Sequence, residues 1–227
     1  ENNKQLLTNL KTVCFISTDK ACSPVNIYGM LKAASECLMI EKSKFVKDVK
    51  FVCVRYGNVL NSRGSIIPLL HKLGQDENVT QYKITDRRMT RFVMTVEEAV
   101  ELVLNSVNEA KGGEVFVTKM PVMKIKELAI AMIEELAKGE IEINEIGGKP
   151  GEKLYEELMS DEETRRAIEL DKFFIVLPAF RGIYSDINYD YSKTVSKFVK
   201  DPYVSEHQTS LTVNEIKDFL RINKLLF

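Results

Sequence analysis

Residues 13–32, VCFISTDKACSPVNIYGMLK, decide the fold, because a short apolar strand is followed at once by polar side chains and a helix. The β-branched and aromatic run at 13–17 predicts a buried parallel strand, which ends in a hydroxyl, a carboxylate and an amine. Tyr28 and Lys32 are four residues apart and share one face of the following helix. Ligands of open α/β sheets bind beyond the carboxyl ends of the strands. These groups therefore predict acid–base chemistry on a sugar or a similar alcohol.

Composition excludes several classes of protein. The 227 residues are 44% apolar and 29% charged, with a net charge of -1, which is typical of a globular protein and gives no sign of nucleic-acid or membrane-surface binding. No apolar run is long enough for a membrane span, and residues 1–10 lack a signal-peptide pattern. The four cysteines contain no CxxC pair, so we expect no metal site, no disulfide framework and a cytoplasmic location.

Apolar strands alternate with amphipathic helices along the chain, which predicts an α/β fold with a parallel sheet. The predicted strands are 13–17, 51–56, 79–85, 114–118, 141–146 and 173–177. The predicted helices are 3–11, 26–45, 66–73, 95–109, 124–137, 153–170 and 213–222. Thr95 and Glu98 form a capping-box pattern at the start of the fourth helix.

The glycine-rich turn that normally grips a dinucleotide does not occur in these residues. No GxGxxG or GxxGxxG is present, and the GGKPG run at 147–151 lacks the spacing. The chain opens without Met, inside the predicted helix 3–11. If this protein uses a dinucleotide, we therefore expect the half that binds it to lie outside these residues, which would then be the second part of a doubly wound Rossmann-type sheet.

Six motifs in order carry a resemblance to a known family. They are STDKA (17–21), YGMLK (28–32), RYGNVLNSRGSIIP (55–68), ITDRRMTRFVMT (84–95), GGEVFVTKMP (112–121) and GGKPGEKLYEEL (147–158). Over residues 10–178 the chain resembles the extended short-chain dehydrogenase/reductases, and among them the UDP-N-acetylglucosamine 4,6-dehydratases of polysaccharide biosynthesis. YxxxK alone is a weak signal, since Tyr189 and Lys193 match it again.

The resemblance implies catalytic roles for five residues at the end of the first strand and on the first long helix. Tyr28 would remove the proton of the sugar 4-hydroxyl, assisted by Lys32, while Thr18 would hydrogen-bond that hydroxyl. Asp19 would protonate the departing 6-hydroxyl, and Lys20 would take the proton from carbon 5. The alternative is structural: two exposed helix residues and an Asp/Lys pair that caps a turn.

The resemblance also implies binding roles. Ser17, Tyr28, Lys32 and Tyr56 would contact the cofactor, which is NADP, with NAD possible. The UDP portion of the substrate would be held by Asn58, Arg63, Arg91 and Glu152, for which the alternative is surface salt bridging. That alternative is preferred for Arg87 and Arg88.

By this resemblance, residues 1–58 and 92–119 belong to the dinucleotide-binding domain. Residues 59–91 and 120–178 form the interleaved smaller substrate-binding α/β region, which is the UDP-sugar domain. Residues 179–227 are a tail with a terminal helix. The expected activity is a lyase: dehydration of UDP-N-acetylglucosamine, with inversion at carbon 5, in a homo-oligomer. A UDP-sugar 4-epimerase and a non-catalytic UDP-sugar-binding fragment are the alternatives. The sequence leaves open the stereochemistry at carbon 5 and the choice between NADP and NAD.

Overall fold

A computed structural model describes residues 9–179 and 187–226. The helices are α1 Ile27–Phe45, α2 Ile66–Gly74, α3 Val96–Glu109, α4 Ile125–Leu136, α5 Asp161–Thr164 and α6 Val213–Ile222. The strands are β1 Thr12–Thr18, β2 Lys50–Tyr56, β3 Asn58–Val59, β4 Gln81–Ile84, β5 Thr90–Met94, β6 Val115–Thr118, β7 Val122–Lys124, β8 Glu142–Glu145, β9 Glu157–Met159, β10 Ala167–Leu170, β11 Phe173–Val176, β12 Thr194–Ser196 and β13 Tyr203–Val204. The predicted helix 3–11 lies almost wholly outside the described residues.

The first of two compact units contains the residues up to Tyr56 together with Val100–Lys119 and Leu158–Pro202. Its sheet has the strand order β1-β2-β6-β11-β10-β12. The strands β1, β2 and β6 are parallel, whereas β11, β10 and β12 each run antiparallel to their neighbours. The predicted parallel α/β sheet is therefore confirmed, with an antiparallel extension.

The sheet of the first unit packs around a buried apolar core. Alternate residues of the central strands supply it, because successive side chains of a strand point to opposite faces of the sheet. The core includes Val52, Val54, Leu102, Phe116 and Ile175. Burying each such side chain stabilises the fold by about 1.5–3 kcal/mol.

The second unit comprises Gly57–Ala99, Met120–Glu157 and the residues from Tyr203 onward. It contains the three-stranded sheet β3-β5-β7 and the two-stranded parallel sheet β4-β8. The helices α2, α4 and α6 supply its core, together with Tyr82 of β4. The terminal helix α6 has the predicted bounds, and Thr212 and Glu215 form a capping box at its start.

The predicted helix 153–170 is wrong. The segment instead contains β9, the four-residue helix α5 and β10. Residues 167–170 read as the end of a charged helix, but Ala167 and Ile168 pair with Val176 and Ile175 of β11. This pairing depends on the neighbouring strand β11, and the hydrophobic periodicity of residues 153–170 alone does not reveal it.

The two compact units divide the chain at different residues from the expected domains. Residues 57–58 and 92–99 belong with the second unit, whereas residues 158–178 belong with the first. The described residues after 178 supply β12 to the sheet of the first unit and the terminal helix α6 to the core of the second. Among the described residues, no helix has the length and apolar character that a bilayer crossing requires.

Candidate active site

The polar residues at the end of β1 form a tight, largely buried turn. Ser17 and Thr18 are the last residues of the strand, and Asp19–Ala21 form a single 3-10 turn. The Thr18 hydroxyl accepts a hydrogen bond from the Lys20 amide, which starts the turn. As a result, a strand end and a local cap place a hydroxyl, a carboxylate and an amine together.

Asp19 is the centre of this turn. It is 0% exposed, and its Oδ1 accepts hydrogen bonds from the Thr18 hydroxyl at 2.7 Å and from Lys20 Nζ at 3.0 Å. Within the part of the chain that the structure describes, Asp19 Oδ2 and Ser17 Oγ are buried without a partner. Such orphaned buried atoms are uncommon in folded proteins, and these two leave one carboxylate oxygen and one hydroxyl able to hydrogen-bond a bound group.

Helix α1 brings Tyr28 and Lys32 to the same strand end. Lys32 Nζ donates a hydrogen bond to the Ile16 carbonyl at 2.9 Å and lies 5.9 Å from the Tyr28 ring centroid. The tyrosine is 51% exposed, so a small molecule can reach this residue. The Lys20 side chain is also accessible, at 37% exposed.

Gly29 lets the helix approach the turn closely, a role that the sequence did not reveal. A Cβ at this position would lie 2.2 Å from the Lys20 carbonyl oxygen and 3.1 Å from Pro24 Cβ. The Asn26 side chain caps the helix by accepting a hydrogen bond from the Gly29 amide at 2.9 Å. The glycine after the tyrosine is therefore needed for contact between α1 and the Asp19–Lys20 turn.

Tyr56 is the partner of Thr18 in the β1–β2 register and so ends the neighbouring strand. Burial, with a smaller contribution from Cys14, raises the pKa of Tyr56 above its usual value. The structure thus brings Ser17, Thr18, Asp19, Lys20 and the α1 residues to one edge of the sheet, with Tyr56 beside them. Their assignment to catalysis and cofactor binding stays a prediction.

A buried arginine with two glutamates lies behind this edge, and the sequence analysis did not identify it. Arg55 is 5% exposed and donates hydrogen bonds to Glu36 and Glu163. Burial alone lowers the pKa of Arg55, but the two carboxylates outweigh it and raise that pKa well above its ordinary value. Nothing in the sequence marks RYGN as containing a buried ion pair, because its partners are 19 and 108 residues away.

The four predicted substrate-binding residues lie in the second unit. Asn58 begins β3, and its Oδ1 is buried without a partner among the described residues. Arg63 and Glu152 are exposed. Arg91 has internal partners: its guanidinium donates to the carbonyls of Thr90, Lys153 and Leu154 at 2.8–3.2 Å.

The preferred salt-bridge interpretation of the neighbouring arginines agrees with the structure. Arg87 pairs with Glu145 at 2.5 Å, and Arg88 pairs with Asp86 at 2.7 Å. The described residues contain no cluster of three or more His, Cys, Asp or Glu side chains arranged to hold a metal ion.

Comparisons with known proteins place this chain in a family. The family model for polysaccharide biosynthesis proteins matches residues 4–178. An uncharacterized membrane protein of Methanocaldococcus jannaschii is 48% identical over 72% of this chain and 51% of its own length. The inverting UDP-N-acetylglucosamine 4,6-dehydratase of Campylobacter jejuni is 37% identical over 78% of this chain and 52% of the enzyme. A UDP-glucose 4-epimerase of Rickettsia prowazekii is 38% identical over 92% of this chain and 60% of that protein.

Solved structures share the fold. Pen from Bacillus thuringiensis matches with a TM-score of 0.83 and 36% identity, over 96% of this chain and 64% of Pen. A dTDP-glucose 4,6-dehydratase from Bacillus anthracis, solved with NAD, matches with a TM-score of 0.56 and 16% identity, over 66% of this chain and 54% of that one. The chain spans about half the length of the first two relatives. On this evidence, the chain belongs to the polysaccharide biosynthesis protein family of short-chain dehydrogenase/reductases, together with the UDP-N-acetylglucosamine 4,6-dehydratases.

Proposed function

We propose that this chain carries the proton-transfer residues of a UDP-N-acetylglucosamine 4,6-dehydratase that inverts carbon 5. The observation that carries the proposal is the Asp19–Lys20 pair, joined at 3.0 Å and packed beneath the start of α1. Oxidation at carbon 4 alone needs only a hydroxyl base, whereas the loss of water also needs an acid and a second base. Asp19 and Lys20 supply that additional pair beside Tyr28.

The proton steps are assigned to named atoms. Tyr28 Oη takes the proton of the 4-hydroxyl, and the Thr18 hydroxyl hydrogen-bonds the same oxygen. Lys20 Nζ takes the proton from carbon 5, which is acidic once carbon 4 is a ketone. A proton would return to the opposite face of carbon 5 when hydride is delivered to carbon 6, and this return completes the proton balance and inverts carbon 5. Asp19 protonates the departing 6-hydroxyl from Oδ2, because its Oδ1 already accepts two hydrogen bonds.

A nicotinamide cofactor fits the residues at this edge of the sheet. The orphaned Ser17 hydroxyl can donate to it, and the accessible Tyr28 and the Lys32 ammonium share one face of α1. When bound, the cofactor would accept hydride from carbon 4 and return it to carbon 6. NADP is proposed over NAD, and Tyr56 would line the same site.

The second unit is proposed to hold the UDP portion through Asn58, Arg63, Arg91 and Glu152. The buried unpartnered Asn58 Oδ1 and the exposed Arg63 support the first two assignments. Guanidinium groups suit phosphate because they are planar and permanently charged. The assignment of the two units to cofactor and substrate, a homo-oligomeric state and a cytoplasmic location belong to the same proposal.

A UDP-sugar 4-epimerase is the second candidate. The Rickettsia prowazekii epimerase aligns over 92% of this chain, compared with 78% for the Campylobacter jejuni dehydratase. Epimerisation needs Tyr28 but neither Asp19 nor Lys20. The two activities are therefore distinguished by whether the 6-hydroxyl is lost and by whether product formation requires Lys20.

The test is mass spectrometry of UDP-N-acetylglucosamine incubated with the complete gene product and NADP, and in parallel with this chain alone. We expect a product lighter by one water, and we expect Lys20→Met to reduce its formation by about 10²-fold or more. Lys193→Met is the matched control, since it alters the second YxxxK pair. A product of unchanged mass that chromatography separates from the substrate would favour the epimerase, and full activity of Lys20→Met would refute the role of that lysine. UDP binding without turnover by both proteins would support the non-catalytic alternative.

A further inference from the structure

We propose that the buried cluster Glu36–Arg55–Glu163 positions helix α1, and with it Tyr28 and Lys32, against the Asp19–Lys20 turn. The inference rests on the proposed function, because it gives these three residues a role in setting the geometry of that site. None of the three is proposed to touch substrate or cofactor.

Arg55 joins strand β2 to helix α1 through a two-pronged contact. Its Nε donates to Glu36 Oε1 at 3.0 Å, and its Nη2 donates to Glu36 Oε2 at 2.7 Å. Both side chains are nearly inaccessible, at 6% and 5% exposed. A buried fork-to-carboxylate pair fixes orientation as well as distance, because the guanidinium is planar.

Glu36 lies on the same stripe of α1 as the proposed site residues. Tyr28, Lys32 and Glu36 follow one another at intervals of four residues, so all three lie on one face of the helix. Lys32 is tied to the Ile16 carbonyl of β1, and Glu36 is tied to Arg55 of β2 one turn later. These two contacts lie about 6 Å apart along the axis of α1. Together they fix the rotation of the helix about its axis, which a single contact would not.

Glu163 connects the same arginine to the segment that follows the Asp19–Lys20 turn. It accepts hydrogen bonds from Arg55 Nη1 at 2.9 Å and Nη2 at 2.8 Å. Its Oε2 also accepts from the Ser160 amide at 2.9 Å and contacts the Cys22 thiol at 3.8 Å. Cys22 is three residues after Asp19. Arg55, which is itself part of β2, therefore contacts α1 directly through Glu36. Through Glu163 it also contacts the chain just after the turn.

A positioning role and a purely stabilising role make different predictions. Buried ion pairs contribute little net stability compared with apolar replacements, yet they restrict geometry. If the cluster only stabilised the fold, its loss would lower the folded fraction and leave the site of each folded molecule unchanged. If it positions α1, folded molecules themselves would have a displaced Tyr28.

The test compares Glu36→Gln and Arg55→Lys with Tyr191→Phe in the complete gene product. The control variant removes a hydrogen bond to another buried glutamate of the first unit, Glu114, without altering the cluster. Fluorine NMR of fluorotyrosine-labelled protein reports on Tyr28, whose signal is assigned with Tyr28→Phe. We expect the Tyr28 signal to shift or broaden in both cluster variants and to stay in place in the control.

Kinetics supply the second readout. At equal folded fraction, we expect kcat to fall about 10- to 100-fold, as for a displacement near 1 Å, with little change in KM. An unchanged Tyr28 signal would overturn the inference even if the enzyme is a dehydratase. Conversely, a displaced signal in a protein without turnover would retain the positioning role and count against the proposed function instead.

A second variant covers the case in which Glu36→Gln or Arg55→Lys does not fold. Glu36→Leu combined with Arg55→Met and Glu163→Gln removes all three charges of the cluster, and apolar or neutral replacement of a complete buried ion cluster is often tolerated. The Glu163→Gln change keeps a side-chain oxygen that can accept the hydrogen bond from the Ser160 amide. A folded triple variant with a wild-type Tyr28 signal would equally refute the inference.

Discussion

Replacing Gly29 with alanine tests the close approach of α1 to the Asp19–Lys20 turn. The added Cβ would lie 2.2 Å from the Lys20 carbonyl oxygen, so the helix and the turn must separate by about 1 Å to restore a normal contact. The obstacle is backbone and cannot rotate away. Alanine gains about 0.5–1 kcal/mol within a helix, while overpacking of this kind costs about 1–3 kcal/mol. Taking the upper value of each, we expect a net loss of about 2 kcal/mol.

Thermal unfolding followed by circular dichroism measures this loss. For a chain of this size, 2 kcal/mol corresponds to a decrease in Tm of about 4–8 °C. Gly139→Ala is the matched control, because a Cβ there meets nothing within 4 Å, and its stability should change by no more than about 0.5 kcal/mol. The separation would also reduce turnover by about 10²-fold under the proposed function. A Gly29→Ala protein as stable as the Gly139→Ala control would refute the close contact.

Three further substitutions have expected outcomes. Burial raises the pKa of Glu163, but Arg55 and the Ser160 amide outweigh burial and hold that pKa below its ordinary value. The resulting stability is complete above the unfolded pKa of about 4.3 and is lost as the pH falls through the folded value. Urea unfolding at pH 7 and pH 3.5 should therefore show a smaller acid-induced loss for Glu163→Gln than for the wild type, and equal losses would contradict this. Leu128→Ala, at a fully buried position of the α4 core, should lower the free energy of unfolding by about 2–5 kcal/mol, and a loss below 1 kcal/mol would show that the site is not packed. Thr95→Ala removes the α3 capping box and should cost about 1 kcal/mol by the same assay, and an unchanged free energy of unfolding would contradict the role of that cap.

Local patterns were sufficient for most helices of the described chain but missed many of its short strands, among them β3, β5 and β7. The helices at 26–45 and 213–222 and the strands at 13–17 and 51–56 match α1, α6, β1 and β2 within a residue or two. Their hydrophobic period and their caps are properties of neighbouring residues, which the chain specifies before any tertiary contact forms. The same holds for Tyr28 and Lys32, since four-residue spacing alone places them on one face of α1.

Tertiary contacts decided the segment 153–170. Its apolar residues fit a helix as well as a strand, and the choice came from β11, whose backbone pairs with residues 167–169. Ser160 and Glu163 form a genuine capping box, but the helix after it ends within one turn. A helix signal of this kind is weak compared with the hydrogen bonds that a sheet edge offers.

By itself, the sequence determined which groups stand at the end of β1 and along one face of α1, because both follow from backbone geometry over a few residues. Only the tertiary structure decided how those two elements meet. The close contact at Gly29 and the Arg55 cluster depend on side chains brought together from distant parts of the chain. No local pattern marks an arginine as buried, since the charge is tolerated there only after its two carboxylate partners have arrived.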